Sequence, residues 1–163
     1  MNLLFKERRD KMKILVDADS CNKINSIIKI GKEYELEVHL FYDFNHDYES
    51  LEDCIKHEVI KGPDSSDYAI IAFCKKEDIV ITKDGGLAAM VLAKGGFALN
   101  TSGMEYNDSN MLSILTSRHL NKKERMKGYI IKSRTGKSPN YKKYNFKETL
   151  VNIIKRKEKI NES

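Results

Sequence analysis

The sequence predicts an α/β fold in which a mainly parallel sheet is flanked by helices. Short apolar runs, such as those at 13–16 and 79–82, alternate with longer segments in which apolar residues recur at helical spacing. Within them, residues 14–16 and 79–81 are apolar without interruption, as expected of strands buried on both faces. Strands that alternate with helices over roughly 100 residues indicate a sheet covered on both sides.

The elements follow one another in a regular order. The predicted strands lie at 13–16, 38–42, 55–60, 79–82 and 97–99. The predicted helices lie at 22–34, 68–76, 87–94, 110–127 and 145–160, with a cap at 64–67 before the second. Residues 128–144 are predicted to form a basic loop.

Composition excludes several classes of protein. Apolar residues make up 40% of the 163 residues and charged residues 33%, which is typical of a globular chain. No apolar run approaches the ~18 residues of a membrane span, so we expect no membrane partner. The three cysteines show no CxxC spacing, which argues against a zinc site or a disulfide framework and favours the cytoplasm. Oligomeric state cannot be predicted.

Charge is distributed unevenly along the chain. Residues 1–117 carry a net −6, whereas residues 118–163 carry a net +11. We therefore divide the chain into a leader or upstream start at 1–11, an α/β domain at 12–127, and a basic C-terminal extension at 128–163 that ends in a helix and packs on or near the domain. Basic segments of this kind commonly bind phosphate backbones, although solvation alone could also explain one.

Five aspartates follow strands of the predicted sheet. Asp17 and Asp19 come after the first strand, Asp84 after the strand at 79–82, and Asp64 and Asp67 at the start of a helix. The carboxyl ends of parallel strands meet at one edge, where sites form in open sheets. Crowded carboxylates favour Mg²⁺ or Mn²⁺, which can polarise a phosphodiester and activate water. Each aspartate could instead be a cap or turn residue, above all Asp64 and Asp67.

Three ordered motifs carry a family resemblance. ILVDADSC at 14–21, GPDSSD at 62–67 and DIVITKDGGLA at 78–88 resemble the signatures of the YaiI/YqxD family of bacterial PIN-like proteins. Further matches include Asn100 and Arg118, and the resemblance extends from residue 12 to about residue 155. It implies a three-layer PIN-like fold.

The resemblance also implies chemistry. PIN nucleases use three or four acids around Mg²⁺ or Mn²⁺ to cut RNA, and nuclease function in this family rests on analogy with that fold. By this likeness Asp17, Asp67 and Asp84 would hold the metal, with Asp19 and Asp64 as outer or alternative ligands.

Other residues are candidates for substrate contact. His46, in the turn after the second strand, Lys83 and Asn100 are auxiliary candidates, although His46 could be an ordinary loop histidine. The predicted partner is nucleic acid, with RNA favoured. The candidate backbone contacts are Arg118, Lys122, Lys123, Arg125 and Lys137.

Three functions compete. The first is a metal-dependent nuclease that acts on RNA or single-stranded nucleic acid. The second is a binding module without catalysis. The observation in its favour is that no further acid follows Asp84 closely. The third arises because Asp17-Ala18-Asp19 resembles the first motif of haloacid-dehalogenase-type phosphatases, in which the first Asp is a nucleophile and the second a general acid.

Overall fold

The computed structural model describes residues 11–43, 48–60, 62, 65–126 and 143–162. Within these residues there are six strands and five helices. The strands are β1 (Ile14–Asp17), β2 (Val38–Asp43), β3 (Ile55–Val59), β4 (Ile79–Ile81), β5 (Phe97–Leu99) and β6 (Glu105–Tyr106). The helices are α1 (Ile24–Glu33), α2 (Ser65–Phe73), α3 (Gly85–Ala93), α4 (Asp108–Met126) and α5 (Phe146–Glu162), and a 3₁₀ helix spans Ala18–Ser20.

The strands form one sheet in the order β3-β2-β1-β4-β5-β6. The first five run parallel, and β6 pairs antiparallel to β5. In the register of the central strands, Val16 lies opposite Leu40 on one side and Ile81 on the other. The chain order reverses between β1 and β4, so the carboxyl ends of these two strands form the switch point at which open sheets place their ligands.

Two apolar cores cover the two faces of the sheet, because successive strand residues point to opposite sides. The first core lies against α1 and α5, and its buried residues include Ile14, Val16, Leu40, Ile79, Ile81, Ile27, Ile30, Leu150 and Ile153. The second lies against α2, α3 and α4, and includes Leu15, Phe41, Val80, Ala98, Ile70, Leu87, Val91 and Met111. The predicted α/β class, a mainly parallel sheet between helices, is confirmed.

The last helix belongs to the first core. Its residues Phe146, Leu150 and Ile153 are buried among residues of the sheet and of α1. Arg156 forms a bidentate ion pair with Glu105 of β6, with N–O distances of 2.9 and 3.0 Å. The basic extension therefore contributes apolar side chains to the α/β core within the described residues.

The structure adds two elements that the sequence patterns did not predict. The 3₁₀ helix directly after β1 has three residues and β6 has two, so neither is long enough to show a periodicity. No helix in the described part of the chain is both long and apolar enough to cross a membrane. All three cysteines are free thiols.

Gly103 allows the loop between β5 and β6 to contact the start of α5. Its φ is +99°, and a Cβ built there would lie 2.8 Å from the Phe146 nitrogen and 2.9 Å from Tyr144 Cβ. We expect Gly103→Ala to lower the free energy of unfolding by about 2 kcal/mol. Urea unfolding checks this against Gly62→Ala, whose added Cβ would lie 3.5 Å from Ser65 Oγ, the nearest atom among the described residues. Equal stability of the two variants would contradict it.

Two histidines, the buried His39 and the half-buried His57, form a pair across β2 and β3. His39 Nδ1 lies 2.9 Å from His57 Nε2, and the His57 ring stacks on Phe41. Burial lowers the pKa of both imidazoles, and for His39 the neighbouring His57 and Lys13 add to this while Glu37 opposes it. Both histidines are therefore favoured in the neutral form in the folded chain.

This pair predicts a loss of stability in mild acid. An unfolded histidine binds its proton near pH 6.5, so below that pH the unfolded chain takes up more protons than the folded one, and acid favours unfolding. We expect the urea midpoint to fall between pH 7 and pH 5.5, and to fall less in His57→Gln. An identical fall in both proteins would assign the effect to other groups.

Candidate functional site

The first strand ends in a carboxylate that its own turn holds in place. Asp17 precedes the 3₁₀ helix, and Ser20 Oγ lies 3.2 Å from both the carbonyl oxygen and Oδ2 of Asp17. Ala18 is buried beneath the turn. The chain thus leaves β1 in a tight turn that keeps the Asp17 side chain at the carboxyl edge of the sheet.

A buried threonine connects the two strands at the switch point. Thr82 Oγ1 donates to Asp17 Oδ2 at 3.1 Å and accepts from the Asp84 backbone N–H at 3.0 Å. Asp84 caps α3, since its Oδ1 accepts from the N–H groups of Gly86 and Leu87 at 2.8 and 3.3 Å. Asp17 and Asp84 are therefore brought to the same place and held through one hydroxyl.

A small polar network supports Thr82 from behind. Tyr106 Oη donates to the Thr82 carbonyl at 3.3 Å, and Asn100 Nδ2 donates to Tyr106 Oη at 2.9 Å. Asn100, predicted as an auxiliary residue, thus lies in a chain of contacts that reaches Asp17 through Tyr106 and Thr82. Strand β6 fixes this network because it supplies Tyr106.

Asp17 lies in an unfavourable environment for a charge. Burial raises its pKa, the hydrogen bonds from Thr82 and Ser20 lower it, and the charges of Asp19 and Asp84 raise it again, with a net upward shift. Its Oδ2 takes both hydroxyl contacts. Among the described residues no donor contacts Oδ1, which is not sealed from solvent, so this oxygen is available to a ligand.

Asp19 has structural partners on both oxygens. Its Oδ2 accepts from the backbone N–H of Asp43 at 3.0 Å, which ties the end of β2 to the turn after β1. Its Oδ1 lies 3.4 Å from Tyr48 Oη. Burial and the Asp19 carboxylate raise the pKa of Tyr48 to about 12, so this phenol stays a hydrogen-bond donor at neutral pH.

The remaining predicted residues lie in different places. Asp67 is in the first turn of α2, and Lys83 is exposed between β4 and α3. Asp64, His46 and Lys137 lie outside the described residues. Four of the predicted nucleic-acid contacts lie on α4, where only the backbone is described: Arg118, Lys122, Lys123 and Arg125.

The donor set suits a hard cation by type, because carboxylate oxygens are the ligands that Mg²⁺ and Mn²⁺ prefer. A cation would also favour the charged form of Asp17, whose pKa is raised chiefly by burial and further by repulsion from Asp19 and Asp84. Within the described ranges, however, no group of three or more His, Cys, Asp or Glu side chains is arranged to hold a metal. Asp17 and Asp84 are thus candidate ligands rather than a completed metal centre.

The sequence patterns missed Ser20, Thr82, Tyr48 and Tyr106. A hydroxyl residue one position past an apolar strand was a usable signal for Thr82, because that position faces the same edge as Asp17. Tyr48 and Tyr106 gave no such signal, since Tyr48 contacts Asp19 from a loop and Tyr106 is placed by the pairing of β6 with β5.

Because Thr82 donates a hydrogen bond to Asp17, we expect two substitutions of Thr82 to differ in their effects. Thr82→Val removes the hydroxyl and should raise the Asp17 pKa further, because this bond lowers it. It should also cost about 1–3 kcal/mol of stability, since the Asp84 N–H loses its acceptor. Thr82→Ser keeps both bonds. NMR titration of the Asp17 carboxyl group checks whether its pKa is higher in Thr82→Val than in Thr82→Ser. An unchanged pKa in Thr82→Val would contradict the prediction.

Comparison with known proteins gives one consistent family. The family described as "uncharacterized BCR, YaiI/YqxD family" matches residues 15–156. The UPF0178 protein of Lachnoclostridium phytofermentans is 36% identical over 152 residues, which cover 93% of this chain and 95% of that protein. Its counterpart in Clostridium novyi is 40% identical over 150 residues, covering 90% and 99%. No solved structure matches the chain. The chain therefore belongs to the bacterial YaiI/YqxD family, as the motifs at residues 14–21, 62–67 and 78–88 predicted.

Proposed function

We propose that this protein is a nuclease that depends on Mg²⁺ or Mn²⁺ and acts on RNA or single-stranded nucleic acid. The observation that carries the proposal is the juxtaposition of Asp17 and Asp84 at the switch point of the sheet, joined through Thr82. The PIN-like architecture implied by the sequence motifs is part of the same proposal. We place the protein in the cytoplasm, for which the three free thiols are the supporting observation.

In this proposal the side chains of the protein supply the negative charge that binds the cation and fix the position of the carboxylates. Asp17 would bind the cation through Oδ1, with Asp84 beside it, while Ser20 and Thr82 hold Oδ2 and so orient the carboxylate. Asp67 and Asp64 are proposed as further ligands, and Asp19 as an outer residue that braces β2 against the turn. When bound, the cation would polarise the phosphodiester and lower the pKa of an attacking water.

A second candidate is a nucleic-acid-binding module without catalysis. The observation in its favour is that two of the candidate acids, Asp84 and Asp19, already accept hydrogen bonds within the fold. Asp84 Oδ1 caps α3, and both oxygens of Asp19 accept hydrogen bonds. In this case RNA binding would be sensitive to salt and would persist without a divalent metal. A phosphatase with Asp17 as nucleophile stays a third prediction, and a trapped phosphoaspartate at Asp17 would support it.

Calorimetric titration with Mn²⁺ separates the first two candidates. We compare the native chain with Asp17→Asn, Asp84→Asn and the control Asp53→Asn, which removes an exposed carboxylate that pairs with Lys32. A nuclease of this type predicts binding that is lost in the first two variants and retained in the control. A folded native chain that binds no Mn²⁺ would remove the proposed metal chemistry and favour the binding module.

A further inference from the structure

A cavity of about 480 Å³ opens where the starts of α1 and α5 meet. Three lysines line it: Lys23 from the turn before α1, Lys143 from the segment before α5, and Lys147 from the first turn of α5. No carboxylate lines the cavity within the described part of the chain. The basic extension and the acidic body thus come together in a pocket that is positively charged.

The ammonium groups of this pocket are not neutralised from within. Among the described residues, none of the three lysine side chains forms an ion pair with a carboxylate. Lys23 Nζ lies 5.5 Å from the centre of the Phe146 ring, a cation–π contact that holds it at the cavity instead of letting it extend into solvent. An anion entering here would meet ammonium groups that no carboxylate of the described residues neutralises.

The backbone adds to this potential. Lys23 is the N-cap of α1, and its side chain makes no capping bond. The first amides of a helix have no partner inside the helix and carry partial positive charge. Ser26, in the first turn of α1, also lines the cavity and offers a hydroxyl. Ammonium groups, backbone amides and a hydroxyl are together the donors that bind phosphate oxygens.

The pocket lies on the same edge of the sheet as Asp17. Only the short 3₁₀ helix and three further residues stand between β1 and α1, so α1 begins near the carboxyl end of the strand that Asp17 terminates. Lys23 is the sixth residue after Asp17, which limits the distance between their Cα atoms to about 20 Å. A strand of a few nucleotides could therefore contact both places at once.

We propose that this lysine pocket binds backbone phosphates of a single-stranded nucleic acid whose chain continues to Asp17 and Asp84. The inference takes its substrate class from the function proposed above, but it assigns a separate binding site. Binding at the pocket requires no divalent metal and no cleavage. Its failure and the failure of the nuclease proposal can therefore be distinguished.

The test uses the full chain in a buffer that contains EDTA. Fluorescence anisotropy measures binding of a labelled eight-nucleotide oligouridylate to the native protein, to Lys23→Gln/Lys147→Gln, and to the control Lys29→Gln/Lys155→Gln. The control removes the same two charges from exposed positions on the same two helices. We expect the pocket variant to bind about tenfold more weakly and its salt slope to fall by about 1.5, while the control changes less than twofold.

Each outcome decides the inference. Weaker binding of the oligouridylate by the pocket variant alone supports the inference. This holds even if the protein proves not to cleave RNA. If both double variants bind the oligouridylate equally weakly, the loss of binding reflects net charge alone, and the inference is overturned. It is also overturned if the native chain does not bind the oligouridylate, or if millimolar inorganic phosphate binds in the pocket while the oligouridylate does not. Circular dichroism of all three proteins checks that each is folded.

Discussion

Asp17→Asn should reduce metal-dependent cleavage of a single-stranded RNA at least about 100-fold, because it removes the charged oxygen best placed to bind the cation. The measurement is the single-turnover cleavage rate at saturating Mn²⁺, with Asp53→Asn as the control for loss of one carboxylate elsewhere. We expect the control to cleave at the native rate. A cleaving native protein whose Asp17→Asn variant cleaves equally well would show that the activity does not depend on this site.

The same variant should be more resistant to unfolding in metal-free buffer. The raised pKa of Asp17 means that its charged form is disfavoured in the folded chain, so the carboxylate contributes most stability at low pH and loses that contribution as the pH rises through its folded pKa. Asparagine carries no charge and can still accept from Ser20 and Thr82. We therefore expect a higher urea midpoint at pH 7 together with loss of metal binding, the opposite signs typical of a functional position. A lower midpoint would indicate that Asp17 has a structural role.

The fold could be predicted from the sequence because its main elements follow from local patterns. The uninterrupted apolar runs at β1 and β4 indicate strands buried on both faces, and the structure confirms them. Helix α3 was predicted to begin at residue 87, whereas it begins at Gly85, because the Asp84 side chain is the N-cap and accepts from the N–H groups of Gly86 and Leu87. Strand β6 depends on pairing with β5, a contact that no local pattern contains.

The candidate site could be predicted only in part. The ends of β1 and β4 identify Asp17 and Asp84, since parallel strands deliver their carboxyl ends to one edge. How these acids are held could not be predicted, because Thr82, Ser20 and Tyr106 act through hydrogen bonds that form only when the strands pair. The lysine pocket was missed for the same reason, since Lys23 and Lys147 are far apart in sequence and meet only when α5 packs beside α1.

The last helix gives the largest expected effect on stability. Ile153 is fully buried in the core shared by the sheet, α1 and α5, so Ile153→Ala should lower the free energy of unfolding by about 3 kcal/mol. For a chain of this length that corresponds to a fall in Tm of about 6–12 °C. Lys155→Ala, an exposed position two residues further along the same helix, should change stability by less than about 0.5 kcal/mol.

Thermal unfolding of the two variants also tests the division of the chain. If the basic extension were only appended to a complete domain at 12–127, Ile153→Ala would melt like Lys155→Ala, and the main transition would be that of the native protein. A cooperative loss of stability in Ile153→Ala alone would show that α5 folds with the sheet. In that case the pocket at the start of α5 is built into the domain, because the segment that carries Lys143 and Lys147 is held in place by the same core that positions Asp17.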